Sequence, residues 1–243
     1  MSKNSKKLFG SFSVCNKHSQ QGTFGLLMLS QLKPTQNAVG MDEVNAKVKK
    51  IKKKDQKKLK DYLLQRPVPV IIGNGGKFYV IDHHHLAKSL WLAKGDTAVP
   101  VEIIRNWSAL KGDRFWRAMA RSNWLYPYDA MGSGPMNPKR LKQHVKDLDN
   151  DIYRSLSWVV RQTYGYVKDP NNAIFAEFKW GSFFRGRVIF DAQLTCTRKC
   201  MKQTLADIKK SDKDDYKSKT AYALYLASSP DAQGLPGFVG RTG

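Results

Sequence analysis

The chain has 243 residues, 41% of them hydrophobic and 11% aromatic, which is enough apolar material for one large or two small folded domains and excludes a disordered chain. Its 42 basic and 20 acidic residues leave a formal charge of +22, so the expected partners are polyanions: nucleotides, nucleic acid, acidic lipid or an acidic protein. No apolar run approaches the roughly 20 residues needed to cross a bilayer. The basic start, Met1 to Gly10, is not followed by the apolar core of a secretory leader, so a cytoplasmic protein is expected.

The three cysteines, Cys15, Cys196 and Cys200, form no C-x-x-C zinc pair, and reduced thiols are the default for an intracellular chain. Cys196 and Cys200, four apart, would share a face if they lay on a helix.

Residues 1–25 are polar and rich in Gly, Ser and Gln, which predicts a loose arm. Leu26 to Leu29 predicts a short buried strand, and Gln31 to Gly40 a loop broken by Pro34 and Gly40. Asp42 and Glu43 suit a helix N-terminus. Val44, Val48, Ile51, Leu59, Tyr62 and Leu63 then keep one helical face up to Arg66, with Asp55 interrupting it and Pro67 ending it. Nine lysines and one acid lie between residues 47 and 60, so the back of this helix is strongly positive. That face is either plain solvated surface or a phosphate-backbone contact through Lys49, Lys50, Lys53, Lys54 and Lys57.

Val68–Ile72 and Lys77–Ile81 flank Gly73-Asn74-Gly75-Gly76 and predict a hairpin. Leu86, Leu90 and Ala93 mark a helix stopped by Gly95. Val99–Ile104 predicts a third strand, whose Pro100 suggests an edge or a strand start. Beyond residue 110 the pattern is mostly helical: a helix capped by Asp113, a Gly/Pro loop from Tyr126 to Pro138, a helix through Leu141, Val145 and Leu148, and helices over 151–164 and 172–184. Residues 198–219 read as exposed helix or partial disorder, Ala221–Ala227 as an apolar patch, and 231–243 as a flexible tail. The tryptophans recur at helical spacing with other apolar residues, which favours core packing over base stacking. Gly132-Ser133-Gly134 reads as a turn.

The most informative stretch is Ile81-Asp82-His83-His84-His85-Leu86, which holds three of the five histidines at a strand-to-helix junction. Unpaired amides and the helix dipole can cradle a phosphate there, and an imidazole can move a proton. Asp82 can cap the helix, orient an imidazole or bind a metal. A purely structural reading also stands, with Asp82 as a cap and the histidines packed or solvated. Asp-His-His after an apolar strand is similar to one motif of the DHH phosphoesterases. Their metal site needs an upstream His-x-Asp-x-Asp cluster, and no histidine lies between His18 and His83 and no Asp-x-Asp precedes Asp82.

The order of parts resembles the ParB/sulfiredoxin superfamily, and within it the ParB-like nucleases. A leucine-rich strand leads to Leu32-Lys33-Pro34-Thr35-Gln36, then Val39-Gly40, a long helix from Glu43, Pro67-Val68-Pro69-Val70 with its hairpin, and Ile81 to His85, which aligns with an Asp-Gly-His-His-Arg motif. The resemblance covers residues 26–106. It implies an α/β (α+β) protein with a ParB/sulfiredoxin-like N-terminal half at 26–106 and a mainly helical region at 107–230. It also implies a turn that binds nucleotide phosphates, with Asp82, His84, His85 and Glu43 as catalytic candidates and Thr35, Gln36, His83 and Lys88 as phosphate-binding candidates. ATP, ADP or CTP, with magnesium, are the implied cofactors, and a nucleotide or nucleic acid the implied partner. The implied activity is phosphoryl transfer or phosphoester hydrolysis, the alternative a non-catalytic nucleotide switch that holds DNA or RNA through the basic helix.

The chain departs from the pattern in four respects. His83 replaces the motif's glycine and Leu86 its arginine, and no cysteine occupies the turn, which excludes sulfiredoxin activity. Gln36 stands where the family's serine kinases carry a glutamate, and an amide cannot act as a general base.

Overall fold

The computed structural model describes residues 8–10, 12–168, 174–191 and 203–240. They form seven strands, β1 (Phe24–Met28), β2 (Leu32–Pro34), β3 (Ala38–Val39), β4 (Val68–Ile72), β5 (Phe78–Val80), β6 (Ala98–Asn106) and β7 (Asp149–Asn150). Eight α-helices among the described residues are α1 (Met41–Lys52), α2 (Gln56–Leu64), α3 (His84–Lys94), α4 (Asp113–Arg121), α5 (Ile152–Gln162), α6 (Ala176–Phe184), α7 (Leu205–Ser211) and α8 (Lys213–Ala227). The fold is mixed α/β with a helical C-terminal region, as the order of parts predicts. None of its helices is long and apolar enough to cross a membrane, among the described residues.

The chain divides into two units. The sheet unit takes its residues from Met1–Asn37, Val44–Asp129 and Gly134–Leu148, and the helical unit from Ala38–Glu43, Ala130–Ser133 and Asp149–Gly243.

In the sheet unit five strands run in the order β1-β6-β4-β5-β2. β4 and β5 form the expected hairpin, antiparallel with Ile71 opposite Tyr79, and Gly75 and Gly76 take the positive φ that the turn requires. β2 pairs in parallel with β5 at the sheet edge, Lys33 opposite Tyr79, so part of the expected loop is a strand and Pro34 sits where edge strands tolerate it.

β6 is not an edge: it pairs antiparallel with β1 and parallel with β4. Pro100 is accommodated by register. Its partner Leu26 turns its own N–H and C=O toward Ser13 and Cys15, and the β4 pairing begins one residue later, at Val101. No ladder bond is therefore demanded of the missing N–H.

The described part of the expected loose arm is docked. Val14 bridges Leu26, Gly22 and Thr23 bond the backbone of Ile103, and Phe9 and Cys15 are buried. The single long helix after Glu43 is two. Asp55 accepts the Lys58 N–H at 2.8 Å and starts α2 afresh, so an acid that seemed to interrupt an apolar face is an N-cap. On one side of the sheet, Ile71, Tyr79 and Ile81 pack against Phe115 and Met119 of α4, with Trp107, Trp116 and Trp124 around them. Gly112, not Asp113, occupies the N-cap of α4. Leu141, Val145 and Leu148 are buried without forming an α-helix; a single 3-10 turn covers Val145–Asp147. Tertiary partners claim the backbone there: Asn37 accepts the Lys142 N–H, and Lys88 takes the carbonyls of Lys146 and Leu148.

In the helical unit α5 presents Ile152, Leu156 and Val160 to Trp180 and Phe184 of α6, and Leu226 and Ala227 of α8 join the same core. Trp180 stacks on Tyr166 with centroids 4.3 Å apart and gives its indole N–H to the Pro236 carbonyl at 2.7 Å. That bond, with Leu235 and Phe238 on the same core, holds the part of the expected flexible tail that is described. α7 and α8 fill the described part of 198–219, and Cys196 and Cys200 lie outside the described residues.

Candidate functional site

β5 ends at Val80, Ile81 stays buried, and the chain turns at Asp82 and His83 into α3. His83 takes φ 64°, the left-handed region. This is the position where the Asp-Gly-His-His-Arg motif carries glycine. The turn needs positive φ, glycine supplies it freely, and histidine holds it at a cost of about 1 kcal/mol.

Asp82 does not cap the helix. Its carboxylate accepts the neighbouring His83 N–H at 2.6 Å, and the N-cap residue is His83, with no side-chain cap bond. The side chain of the N-cap residue therefore takes none of the first-turn amides of α3. Nδ1 of His83 is buried and without a hydrogen-bond partner among the described residues.

His84 points inward. Its Nε2 accepts the Thr35 N–H at 3.2 Å, which fixes that nitrogen as unprotonated. Burial, and then the His83 imidazole beside it, push its pKa down to about 3 against the weaker pull of the Val80 carbonyl. Held this way, His84 is buried and neutral near pH 7.

Thr35 and Gln36 are also buried. The Thr35 hydroxyl donates to the Val80 carbonyl at 2.7 Å, and Gln36 forms a bridge to Tyr126. Thr35 thus clamps the end of β2 to the turn, with its hydroxyl already engaged. Lys88, expected as a phosphate-binding cation, is buried with its ammonium between the carbonyls of Lys146 and Leu148, the latter at 3.2 Å. Of the predicted set, Asp82 is exposed and His83 and His85 are half-buried, while Thr35, His84 and Lys88 fix the turn from beneath.

Glu43 belongs to the helical unit, where it is buried and pairs with Arg154 of α5 at 3.0 Å. Glu177 approaches the same guanidinium at 3.9 Å and also pairs with Arg161. Burial disfavours the Arg154 charge, but Glu43 and Glu177 outweigh it, so the guanidinium is held more firmly protonated than usual. A carboxylate so engaged serves as a buried counter-ion to Arg154. The spacing offered one signal of this: Arg154 interrupts the apolar pattern of α5 and implies a buried acid.

Lys49, Lys50, Lys53 and Lys57 are exposed on α1, α2 and the segment between them, while Lys54 lies half-buried over the Tyr62 ring at 5.0 Å. Among the described residues no three His, Cys, Asp or Glu side chains converge to hold a metal ion. Magnesium carried on nucleotide phosphates needs no such cluster.

No curated protein matches the chain. A crystal structure of protein Atu1540 from Agrobacterium tumefaciens is similar to it, with a TM-score of 0.73 and 31% identity over 91% of this chain and 98% of that one. The family model described as "Putative ParB-like nuclease" matches residues 26–186, so the match runs from β1 through the sheet unit into α6 of the helical unit. With that span, well over half of the sequence, the chain belongs to the ParB-like nuclease family.

Proposed function

We propose that the protein binds the phosphate of a nucleotide or phosphoester at the Asp82–His85 turn and transfers or hydrolyses that phosphoryl group. The observation that carries this is the turn into the first amides of α3, where the N-cap residue His83 makes no side-chain cap bond and holds its buried Nδ1 without a hydrogen-bond partner among the described residues. Such amides favour an oxyanion, and a strained left-handed histidine in place of glycine is a cost that chemistry can offset.

In this reading the first-turn amides hold the phosphate oxygens and stabilise charge at phosphorus. The His83 imidazole takes the proton of the attacking water or hydroxyl as the new P–O bond forms. The bond to the leaving oxygen breaks, and the leaving group is protonated from solvent or from His85. His84 takes no part in proton transfer.

The test is turnover and thermal shift with ATP, ADP, CTP and single-stranded DNA, with and without magnesium, for the wild type, His83→Ala and His84→Gln. The reading expects ligand-dependent stabilisation and at least a tenfold fall in turnover for His83→Ala. His84→Gln, corrected for its folded fraction, retains turnover. Equal rates in the wild type and His83→Ala would remove the assignment.

A second reading is favoured by the exposure of Lys49, Lys50, Lys53 and Lys57: the turn binds nucleotide as a switch and these lysines hold nucleic acid. It expects nucleotide binding without turnover, and nucleic-acid affinity that falls steeply with salt.

A further inference from the structure

A second feature of the sheet unit lies apart from the histidine turn. Beside the β2 edge is a cleft of about 230 Å³ lined by Lys33, Lys77, Lys139 and Lys142. Its apolar wall is Tyr79, Phe115 and Trp116, with the Trp116 ring edge-on to Tyr79 at 5.4 Å. The four lysines come from three stretches of chain distant in sequence: β2, the start of β5, and the segment after Pro138. None of the lining residues is acidic. Nearby Asp113 meets Lys139 at 3.6 Å, but both are well exposed and the pair neutralises little. Lys33 is half-buried, with its ammonium donating to Gln143 at 2.9 Å. Burial, and then the Lys77 charge, hold Lys33 below the usual lysine range.

Like charges gathered from separate segments repel one another, and an anion in the cleft relieves that repulsion. The half-buried Trp116 adds what a bare phosphate does not need, an aromatic surface beside the cations. Cations flanking an aromatic platform suit a base with its adjoining phosphates. The space is smaller than the roughly 300–1,000 Å³ of a site that encloses a whole small molecule. It therefore suits one nucleotide of a strand that continues out of the cleft at both ends.

We infer that this lysine cleft is a binding site for single-stranded nucleic acid, seating one base against Trp116 and its flanking phosphates on Lys33, Lys77, Lys139 and Lys142. The site is independent of the phosphoryl chemistry assigned to the histidine turn.

Fluorescence anisotropy of the full chain with a labelled single-stranded dodecamer tests it. The comparisons are the duplex form, an abasic strand of the same length, and unlabelled mononucleotide as competitor. Lys77→Ala/Lys139→Ala removes two exposed cations with little risk to folding. It is expected to weaken strand binding about tenfold or more and to flatten the slope of log K against log salt by about 1.4, or 0.7 per lost phosphate contact. The abasic strand is expected to bind about tenfold more weakly than the normal one. A Lys213→Ala/Lys217→Ala variant, which removes two exposed cations on α8, is the control for general charge. An equal or greater loss in that control overturns the assignment to the cleft. Equal binding of the abasic strand overturns the base seat, and competition by mononucleotide at the strand's own affinity overturns the strand as occupant. Because these measurements read binding and not turnover, they stand or fall separately from the activity assays with His83→Ala.

Discussion

The Thr35 backbone N–H donates to Nε2 of His84 across 3.2 Å, joining the end of β2 to the start of α3. Below its unfolded pKa near 6.5, an unfolded His84 takes up a proton that the folded one, with a pKa of about 3, does not. The stability it contributes is therefore complete above pH 6.5 and is lost as pH falls toward 3. By pH 5 the loss is about 2 kcal/mol. Urea unfolding of the wild type between pH 7.5 and 5 is expected to show that fall. His84→Gln, which cannot titrate, is expected to start lower and show a shallower decline. Parallel curves for the two proteins would contradict the assignment.

His83 holds a left-handed backbone that glycine would hold without strain. His83→Gly is expected to raise stability by about 1 kcal/mol while removing the turn's unpartnered imidazole. Calorimetry alongside the turnover assay reads both effects. A variant less stable than the wild type would mean that the imidazole's packing outweighs the strain.

Lys88 supplies donors to two carbonyls in a segment with no α-helix to satisfy them. Lys88→Met should cost about 2–3 kcal/mol, since it strands both acceptors. Nucleotide affinity of the folded fraction should be unchanged. A selective loss of nucleotide affinity at full stability would return Lys88 to the phosphate site.

Removing the Glu43 carboxylate leaves Arg154 buried with only the more distant Glu177 as counter-ion. Glu43→Gln is expected to cost about 3–5 kcal/mol, and Glu43→Gln/Arg154→Met to recover much of it by removing the stranded charge. A double-mutant cycle in urea measures the coupling. Additive losses would show that the two groups are not a pair.

Gly40 lies where a Cβ would stand 2.9 Å from the Ser155 nitrogen and 3.1 Å from the Arg154 carbonyl carbon, both backbone atoms that cannot swing aside. Gly40→Ala is expected to destabilise by about 1–3 kcal/mol, read as a lowered melting temperature. An unchanged melting temperature would show that the backbone of α5 shifts to admit the methyl group.

Strands β1, β4, β5 and β6 and the hairpin were legible because their signals are local: short apolar runs, a Gly-Asn-Gly-Gly turn, and Gly95 ending α3; β2 was not, because its Pro34 reads locally as a loop. The histidine turn was legible as a place, through the order of parts around it. The roles within it were not. Three adjacent histidines look alike in sequence, yet a left-handed His83 swings its neighbour His84 into the core and leaves His83 and His85 half-buried. Lys88 and Lys33 are equally alike on paper. One lies beside carbonyls that lack partners and the other at the sheet edge beside Lys77.

Local periodicity and charge were enough to determine an α/β chain with a glycine-rich hairpin, a strand-to-helix turn and a cationic surface, because those properties depend on residues close together along the backbone. Which imidazole is buried, which carboxylate neutralises which guanidinium, and which lysines meet around one cleft were decided only by tertiary structure. Desolvation and charge pairing act between groups brought together from distant positions, and their distances are set by packing and not by sequence spacing.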